Sequence, residues 1–375
     1  MRPIQMVDLG QQYEKIKEEV TNGIQNVIDT TSFIKGPSVS KFESELSTYL
    51  DGAFVIGCGN GTDALQIALM AAGLNPGDEV LVPAFTYIAT IEVIGLLGLI
   101  PVLIDAENDT FNMDVNQLQE AYSSKTKAIV PVHLYGQPSN MDFILQFAKN
   151  HNLFVIEDTA QAIGAYCKVG DTYQKVATIG DMGCLSFFPS KNLGCYGDGG
   201  AIVTRDKKLA SRIRMIANHG QEVKYKHDVI GVNSRLDSIQ AAVLSAKLPH
   251  LDAYSLARNE VAKEYDAAFS SLKEIVTPKR FKDTTHVFHQ YTLKVKNGKR
   301  DELKKYLAEK SIPTMIYYPI PVHKQKGYLD LVKYIGELTV TEQLCEEVLS
   351  LPIHTEMGID QLEYIINAVK SFFNE

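Results

Sequence analysis

Short apolar runs alternating with helical segments between residues 54 and 204 predict an α/β fold. The predicted architecture is a large, mostly parallel, doubly wound sheet followed by a smaller α+β unit. Two further observations support it. The alternation gives way to mixed helical and strand-like stretches after His250, and two apolar runs end in polar residues where the chain leaves the sheet. Ligands collect at such carboxyl ends in open α/β sheets. The expected units are 1–249, with N-terminal helices, and 250–375.

The apolar runs lie at 53–56, 79–82, 101–104, 128–132, 153–156, 184–188 and 201–204. Helical spacing covers 14–30 through Ile16, Val20, Ile24, Val27 and Ile28, and resumes at 38–50 after the Gly36-Pro37 break. Helices are also expected at 63–72, 208–217, 234–248, 251–272 and 301–310, with a strand-like run at 288–295 and a helical tail. No repeat or flexible linker interrupts the chain, so the smaller unit is expected to pack firmly on the larger.

Composition narrows the partners. The 375 residues are 45% hydrophobic and 22% charged, ordinary for a globular protein, and the net charge of −8 argues against nucleic acid. Lys207-Lys208 and Lys304-Lys305 are short runs with acids nearby, as on solvated helix faces. Five cysteines without CxxC spacing suggest reduced thiols and no metal site. The first residues lack an apolar h-region and no run approaches about 18 apolar residues, so a cytoplasmic protein is expected.

The richest segment is Gly183-Cys184-Leu185-Ser186-Phe187-Phe188-Pro189-Ser190-Lys191-Asn192-Leu193-Gly194. A strand-like run ends in a proline turn, and one lysine follows. Upstream, Leu153-Phe154-Val155-Ile156-Glu157-Asp158 ends in a carboxylate, with Gln161 just beyond. Lys191 alone reads as a surface charge. Paired with Asp158, it is what pyridoxal phosphate (PLP) chemistry needs: an amine to form an imine and a carboxylate for the pyridine nitrogen.

Gly57-Cys58-Gly59-Asn60-Gly61-Thr62-Asp63 follows a strand and opens a helix, a suitable phosphate seat. The same loop also fits an S-adenosylmethionine-dependent methyltransferase, or glycines serving only a turn. Lys191 and Asp158 discriminate, because a methyltransferase has no use for them. Tyr87 or Phe85, after the run at 79–82, is available to cover a flat ring, or is a core aromatic. Ser186 is a second phosphate donor or a serine tolerated in a strand.

Gly61–Leu65, Pro83–Thr90, Glu157-Asp158-Thr159-Ala160-Gln161, Ser186–Gly194, Gly197–Gly200 and Gly231–Asp237 stand in one order, continuing through Tyr317-Tyr318-Pro319-Ile320-Pro321-Val322-His323 to Leu351-Pro352. Over nearly its whole length the chain resembles the DegT-type family of PLP-dependent nucleotide-sugar aminotransferases, of fold type I. The resemblance implies that Lys191 joins the cofactor, Asp158 pairs with the pyridine nitrogen and Gln161 sits beside the ring hydroxyl. It implies stacking by Tyr87 and phosphate contacts from Gly61, Thr62 and Ser186. Asn233 would reach the phosphate of a neighbouring subunit, implying a homodimer. Arg235, Tyr317, Tyr318 and His323 would approach the sugar nucleotide.

The resemblance also suggests L-glutamate as donor and a UDP- or dTDP-linked keto-hexose as acceptor, for surface polysaccharide. Asn60–Ile67, Lys191–Gly200 and His219-Gly220-Gln221 look most like aminotransferases for UDP-2-acetamido-2-deoxy-3-oxo-glucuronate. Arg235 would then face the uronate carboxylate, or serve as a structural interface arginine. Two departures stand against that subgroup: Tyr317 replaces a histidine and Asn192 a proline. A dTDP- or GDP-linked 3- or 4-keto-6-deoxy sugar is the alternative. Sugar dehydratases of the same family carry histidine where this chain has Lys191, and a sensor of the same fold is a third reading. His286 and His289 are expected as packing or surface residues, and His219 as a turn residue or a neighbour of the site.

Overall fold

The computed structural model describes residues 2–374. Its strands are β1 (Phe54–Cys58), β2 (Glu79–Pro83), β3 (Ile100–Ile104), β4 (Thr126–Ile129), β5 (Phe154–Asp158), β6 (Tyr166–Val169), β7 (Thr172–Lys175), β8 (Met182–Ser186), β9 (Gly200–Thr204), β10 (Ile275–Val276), β11 (Tyr291–Val295), β12 (Lys333–Tyr334) and β13 (Val348–Leu351). Its helices are α1 (Leu9–Asp29), α2 (Pro37–Tyr49), α3 (Gly61–Ala72), α4 (Ala89–Leu96), α5 (Leu118–Ala121), α6 (Met141–His151), α7 (Lys207–Ile216), α8 (Ser238–Lys247), α9 (Leu251–Phe269), α10 (Arg300–Glu309), α11 (Thr339–Glu347) and α12 (Ile359–Asn374).

The main sheet has eight strands in the order β1-β9-β8-β5-β4-β2-β3-β12. Only β9 runs against its neighbours, so the expected mostly parallel, doubly wound fold type I sheet is present. β2 is buried along its whole length, which explains its unbroken apolar run: helices cover both faces of a parallel sheet. Ile56, Val80, Val82, Ile156 and Ile202 pack under α3, α4 and α7 on one side. Leu81, Ile104, Ile129 and Val155 face α6 on the other.

A three-stranded antiparallel sheet, β10-β11-β13, forms a second core with α9, α10 and α12 through Tyr265, Phe269, Leu293, Leu307 and Ile365. The later part of the chain also returns to the first core. β12 pairs with β3 at the edge of the main sheet, and Val322 and Leu338 pack in the main cluster. This interleaving accounts for the absence of a linker.

Several expected boundaries move, each for a local reason. The helix expected at 234–248 begins at Ser238, because Ser234 is spent on the glycine loop: its Oγ accepts the Gly59 N–H at 2.9 Å and donates to Asp63 at 2.6 Å. The strand expected at 288–295 begins at Tyr291. Phe288 takes φ 45°, its N–H bonds His286 Nδ1 at 3.0 Å, and the two rings stack 3.7 Å apart. The run at 128–132 is regular strand as far as Ile129, near Pro131, which has no N–H to give, while Val130 still bonds the Leu81 carbonyl and Val132 bridges to Asp158. The β6–β7 hairpin and β12 carry no strong apolar pattern and were not expected; both lie at the periphery.

Ile156 is fully buried in the middle of the main sheet. Ile156→Ala should lower unfolding stability by about 2–5 kcal/mol, read as a reduced denaturation midpoint with an unchanged denaturant slope.

Candidate active site

Adjacent parallel strands β5 and β8 pair Asp158 with Cys184 and so bring their carboxyl ends together. Asp158 is 5% exposed. Its Oδ2 accepts the Thr90 hydroxyl at 2.8 Å and its Oδ1 the Ala160 N–H at 3.1 Å. Burial raises its pKa above the usual carboxylate range, while those two donors and the charge of Lys191 pull it back down.

Strand alternation sends the preceding Glu157 to the opposite side. There it is fully buried and held by four donors. Oε1 accepts the N–H groups of Ile179 and Gly180, each at 2.8 Å, and Oε2 accepts Ala177 N–H at 3.0 Å and His133 Nε2 at 2.9 Å. His133 Nδ1 accepts the Ser139 N–H at 3.1 Å, which assigns the ring proton to Nε2. Glu157 therefore pins the turn before β8 to the end of β5.

Lys191 projects from the turn after β8, with its N–H on the Phe188 carbonyl at 2.8 Å. Asn192 clamps the turn through Nδ2 to the Val287 carbonyl at 3.1 Å. The half-buried Lys191 amine makes no hydrogen bond or ion pair among the described residues. Burial pushes its pKa down to about 8, against the pull of Asp158. His289 lies close enough to feel the Lys191 charge, and burial keeps its ring neutral. It is a packing residue in the loop before β11.

Gln161 accepts the Tyr135 N–H at 2.6 Å and donates to the Tyr318 hydroxyl at 3.2 Å. The Tyr318 ring lies 5.9 Å from Tyr87 and 6.3 Å from Phe85. Tyr87 is 56% exposed and Phe85 buried, so of the two aromatics named from the sequence Tyr87 presents a free face. Asn60 caps α3 by accepting the Asp63 N–H at 2.8 Å. The first turn of α3, with Gly61 and Thr62, lies against Ser186: a Cβ on Gly61 would stand 2.7 Å from the Ser186 Cβ.

These positions fit PLP. A partnerless amine beside a buried carboxylate, an exposed aromatic face, a glutamine at the rim and a glycine cradle at a helix N-terminus match its aldehyde, ring nitrogen, ring face, hydroxyl and phosphate. No group of histidine, cysteine and acidic side chains able to hold a metal occurs among the described residues.

The remaining candidates lie farther out. Tyr317 packs 5.9 Å from Tyr318, and its carbonyl accepts the Tyr135 hydroxyl. Asn233 is exposed and bridges to Asn218. Arg235 sits near Lys35, whose pKa is lowered by burial and then by the charges of Arg235 and Arg214. His323 is occupied: Nε2 bonds Glu342 at 2.8 Å and its ring lies 5.4 Å from Tyr334. His219 adopts φ 60° in an exposed turn. Thus Lys191, Asp158, Gln161, Tyr87, Tyr318, Gly61, Thr62 and Ser186 converge, whereas Asn233, Arg235 and His323 make no contact with that group. Thr90, Glu157, His133 and Tyr135 received no role from the sequence. Only Thr90, one helical turn from Thr86, carried a local signal.

Comparison with known proteins agrees. The profile of the DegT/DnrJ/EryC1/StrS aminotransferase family matches residues 14–370. A pleiotropic regulatory protein of Geobacillus stearothermophilus is 45% identical, covering 99% of this chain and 98% of its own. The UDP-N-acetyl-3-dehydro-α-D-glucosamine 3-aminotransferase of Acidithiobacillus ferrooxidans is 42% identical over 98% of this chain and 97% of its own. The UDP-2-acetamido-2-deoxy-3-oxo-D-glucuronate aminotransferase of Pseudomonas aeruginosa is 41% identical over 98% and 99%. The crystal structure of S. venezuelae DesV in complex with a ketimine intermediate superposes with a TM-score of 0.95, at 38% identity and full coverage of both chains.

Two outcomes are expected. Gly61→Ala should weaken PLP binding by about 1–3 kcal/mol through the collision with Ser186, read by absorbance titration. Asp158 has a folded pKa above its unfolded value, so its favourable contribution is complete below about pH 4 and is lost as pH rises through the folded pKa. Cofactor-free Asp158→Asn should therefore melt higher than the parent at neutral pH, with the gap closing toward pH 4 in a series of thermal melts.

Proposed function

The chain belongs to the DegT/DnrJ/EryC1/StrS aminotransferase family and is a PLP-dependent sugar aminotransferase; from that premise we propose that it transfers the amino group of L-glutamate to UDP-2-acetamido-2-deoxy-3-oxo-glucuronate, for surface polysaccharide synthesis. The observation that carries the substrate reading is chemical. Two relatives above 40% identity over nearly the whole chain share a UDP group, a 2-acetamido group and a 3-oxo carbon in their named substrates.

Bound PLP supplies an electron sink for the pair left when a proton leaves the donor carbon. Asp158 would face the pyridine nitrogen, where a carboxylate favours the protonated ring and keeps that sink open. Lys191 would hold the cofactor through its amine and, when that amine is free, would move the donor's proton as base and then acid. Its lowered pKa leaves a useful neutral fraction near pH 7–8. Tyr87 would cover one ring face, Gln161 would hold the ring hydroxyl, and Gly61, Thr62 and Ser186 would receive the phosphate. Exposed Asn233 reaches the phosphate of a second copy, in a homodimer with shared sites. Tyr317 and Tyr318 line the sugar side. Arg235, free of any carboxylate among the described residues, meets the uronate carboxylate in that assembly. His323, engaged by Glu342, supports this wall from outside.

Tyr317 favours one second reading, a dTDP- or GDP-linked 3- or 4-keto-6-deoxy sugar. It fills a histidine position of the 3-oxo-glucuronate enzymes, a departure that weighs against that subgroup.

Protein reconstituted with PLP should lose its long-wavelength absorbance on adding L-glutamate, releasing 2-oxoglutarate. UDP-2-acetamido-2-deoxy-3-oxo-glucuronate should restore that band faster than a dTDP-linked 3-keto-6-deoxyglucose. The reverse order would transfer the assignment to the second reading. Lys191→Ala should depress turnover on the order of a thousandfold or more, and no response to glutamate in the parent would remove the donor.

A further inference from the structure

We propose that Tyr135 is a positioning residue that fixes the wall of the acceptor sugar pocket relative to the cofactor side; this rests on the acceptor being a keto-sugar nucleotide. Beyond β4 the chain turns through Tyr135 at φ 57°, ψ 2°, a left-handed conformation disfavoured for a bulky side chain. Such a backbone persists where its surroundings over-determine it. Asn112 supplies three restraints: its Oδ1 accepts the Leu134 N–H, and its Nδ2 donates to the carbonyls of Gln137 and Pro138, each at 3.1 Å. Phe111 meets the Tyr135 ring edge-on at 5.4 Å. Gly136 follows at φ 105°, where a Cβ would stand 2.9 Å from Val287 and 3.1 Å from the Gln161 carbonyl.

The enforced turn aims both ends of Tyr135 at the pocket. Its N–H holds Gln161 Oε1 at 2.6 Å, while its hydroxyl donates to the Tyr317 carbonyl. Gln161 closes the ring of contacts through Nε2 to the Tyr318 hydroxyl at 3.2 Å. The chain of bonds runs from Tyr135 to Gln161, Tyr318, Tyr317 and back. Tyr135 is 2% exposed and acts only through these neighbours. The amino donor is small and charged, so charge positions it. A hexose presents C–H faces that pack on aromatic rings, and it leans on the wall formed by Tyr317 and Tyr318. Loosening that wall affects the acceptor first.

Tyr135→Phe keeps the N–H, the turn and the ring contact with Phe111 and removes only the hydroxyl. Two readouts on the cofactor-loaded protein test the proposal. Hydrogen–deuterium exchange of peptides covering 314–320 should accelerate, with exchange elsewhere unchanged and the melting temperature lowered by no more than about 2–4 °C. KM for the keto-sugar should rise about three- to tenfold, the effect of one lost hydrogen bond, with kcat and the glutamate half-reaction unchanged. Unchanged exchange at 314–320, or equal damage to both half-reactions as general packing loss would give, overturns it. If the parent accepts no keto-sugar nucleotide, the substrate reading fails by itself. The exchange arm then still decides the Tyr135 anchor, because it needs no substrate.

Discussion

Burying a carboxylate and an amine side by side, without letting them neutralise each other, is the constraint on which the rest of this structure depends. Burial opposes both charges: it raises the Asp158 pKa and lowers that of Lys191, and each charge favours the other. No hydrogen bond or ion pair occupies the amine among the described residues. The carboxylate is held by a hydroxyl from α4 and a backbone N–H, which orient it and favour its charged form. A surface site would reach neither state, since water would screen the pair and free both side chains.

The scaffold meets this demand with a rigid frame. β5 and β8 are neighbours, so their carboxyl ends deliver Asp158 and the Lys191 turn to one place. Behind them, Glu157 gathers three backbone N–H groups and the neutral His133 ring, joining the two strand ends by a fully satisfied buried network. The pocket's other wall comes from a remote part of the chain. The three-stranded sheet and the 317–318 segment reach the cofactor side through Tyr135 and Gln161, so the interleaved second core contributes to the site.

How much was legible in the sequence can be argued from individual residues. Asp158 and Lys191 could be found because a strand end and a proline turn are local patterns, and their chemistry demands a carboxylate and an amine. Gly61 could be found because a glycine loop opening a helix is also local. Boundaries failed where a side chain was committed elsewhere, as with Ser234 in the glycine loop and His286 under Phe288. His323 stood in a motif suited to a ligand contact, yet Glu342 claims it from α11, a choice no spacing reveals.

The sequence by itself determined the strand–helix alternation, the strand-end positions of Asp158 and Lys191 and the glycine loop that opens α3, because periodicity and turn chemistry act between residues a few positions apart. Tertiary structure alone decided which residues support them. The His133–Glu157 lock, the Thr90 hydroxyl on Asp158 and the Tyr135 bridge join groups 24, 68 and 182 positions apart. Such pairings are selected by burial, which leaves each polar group inside the core only the partners that the packed elements bring within reach.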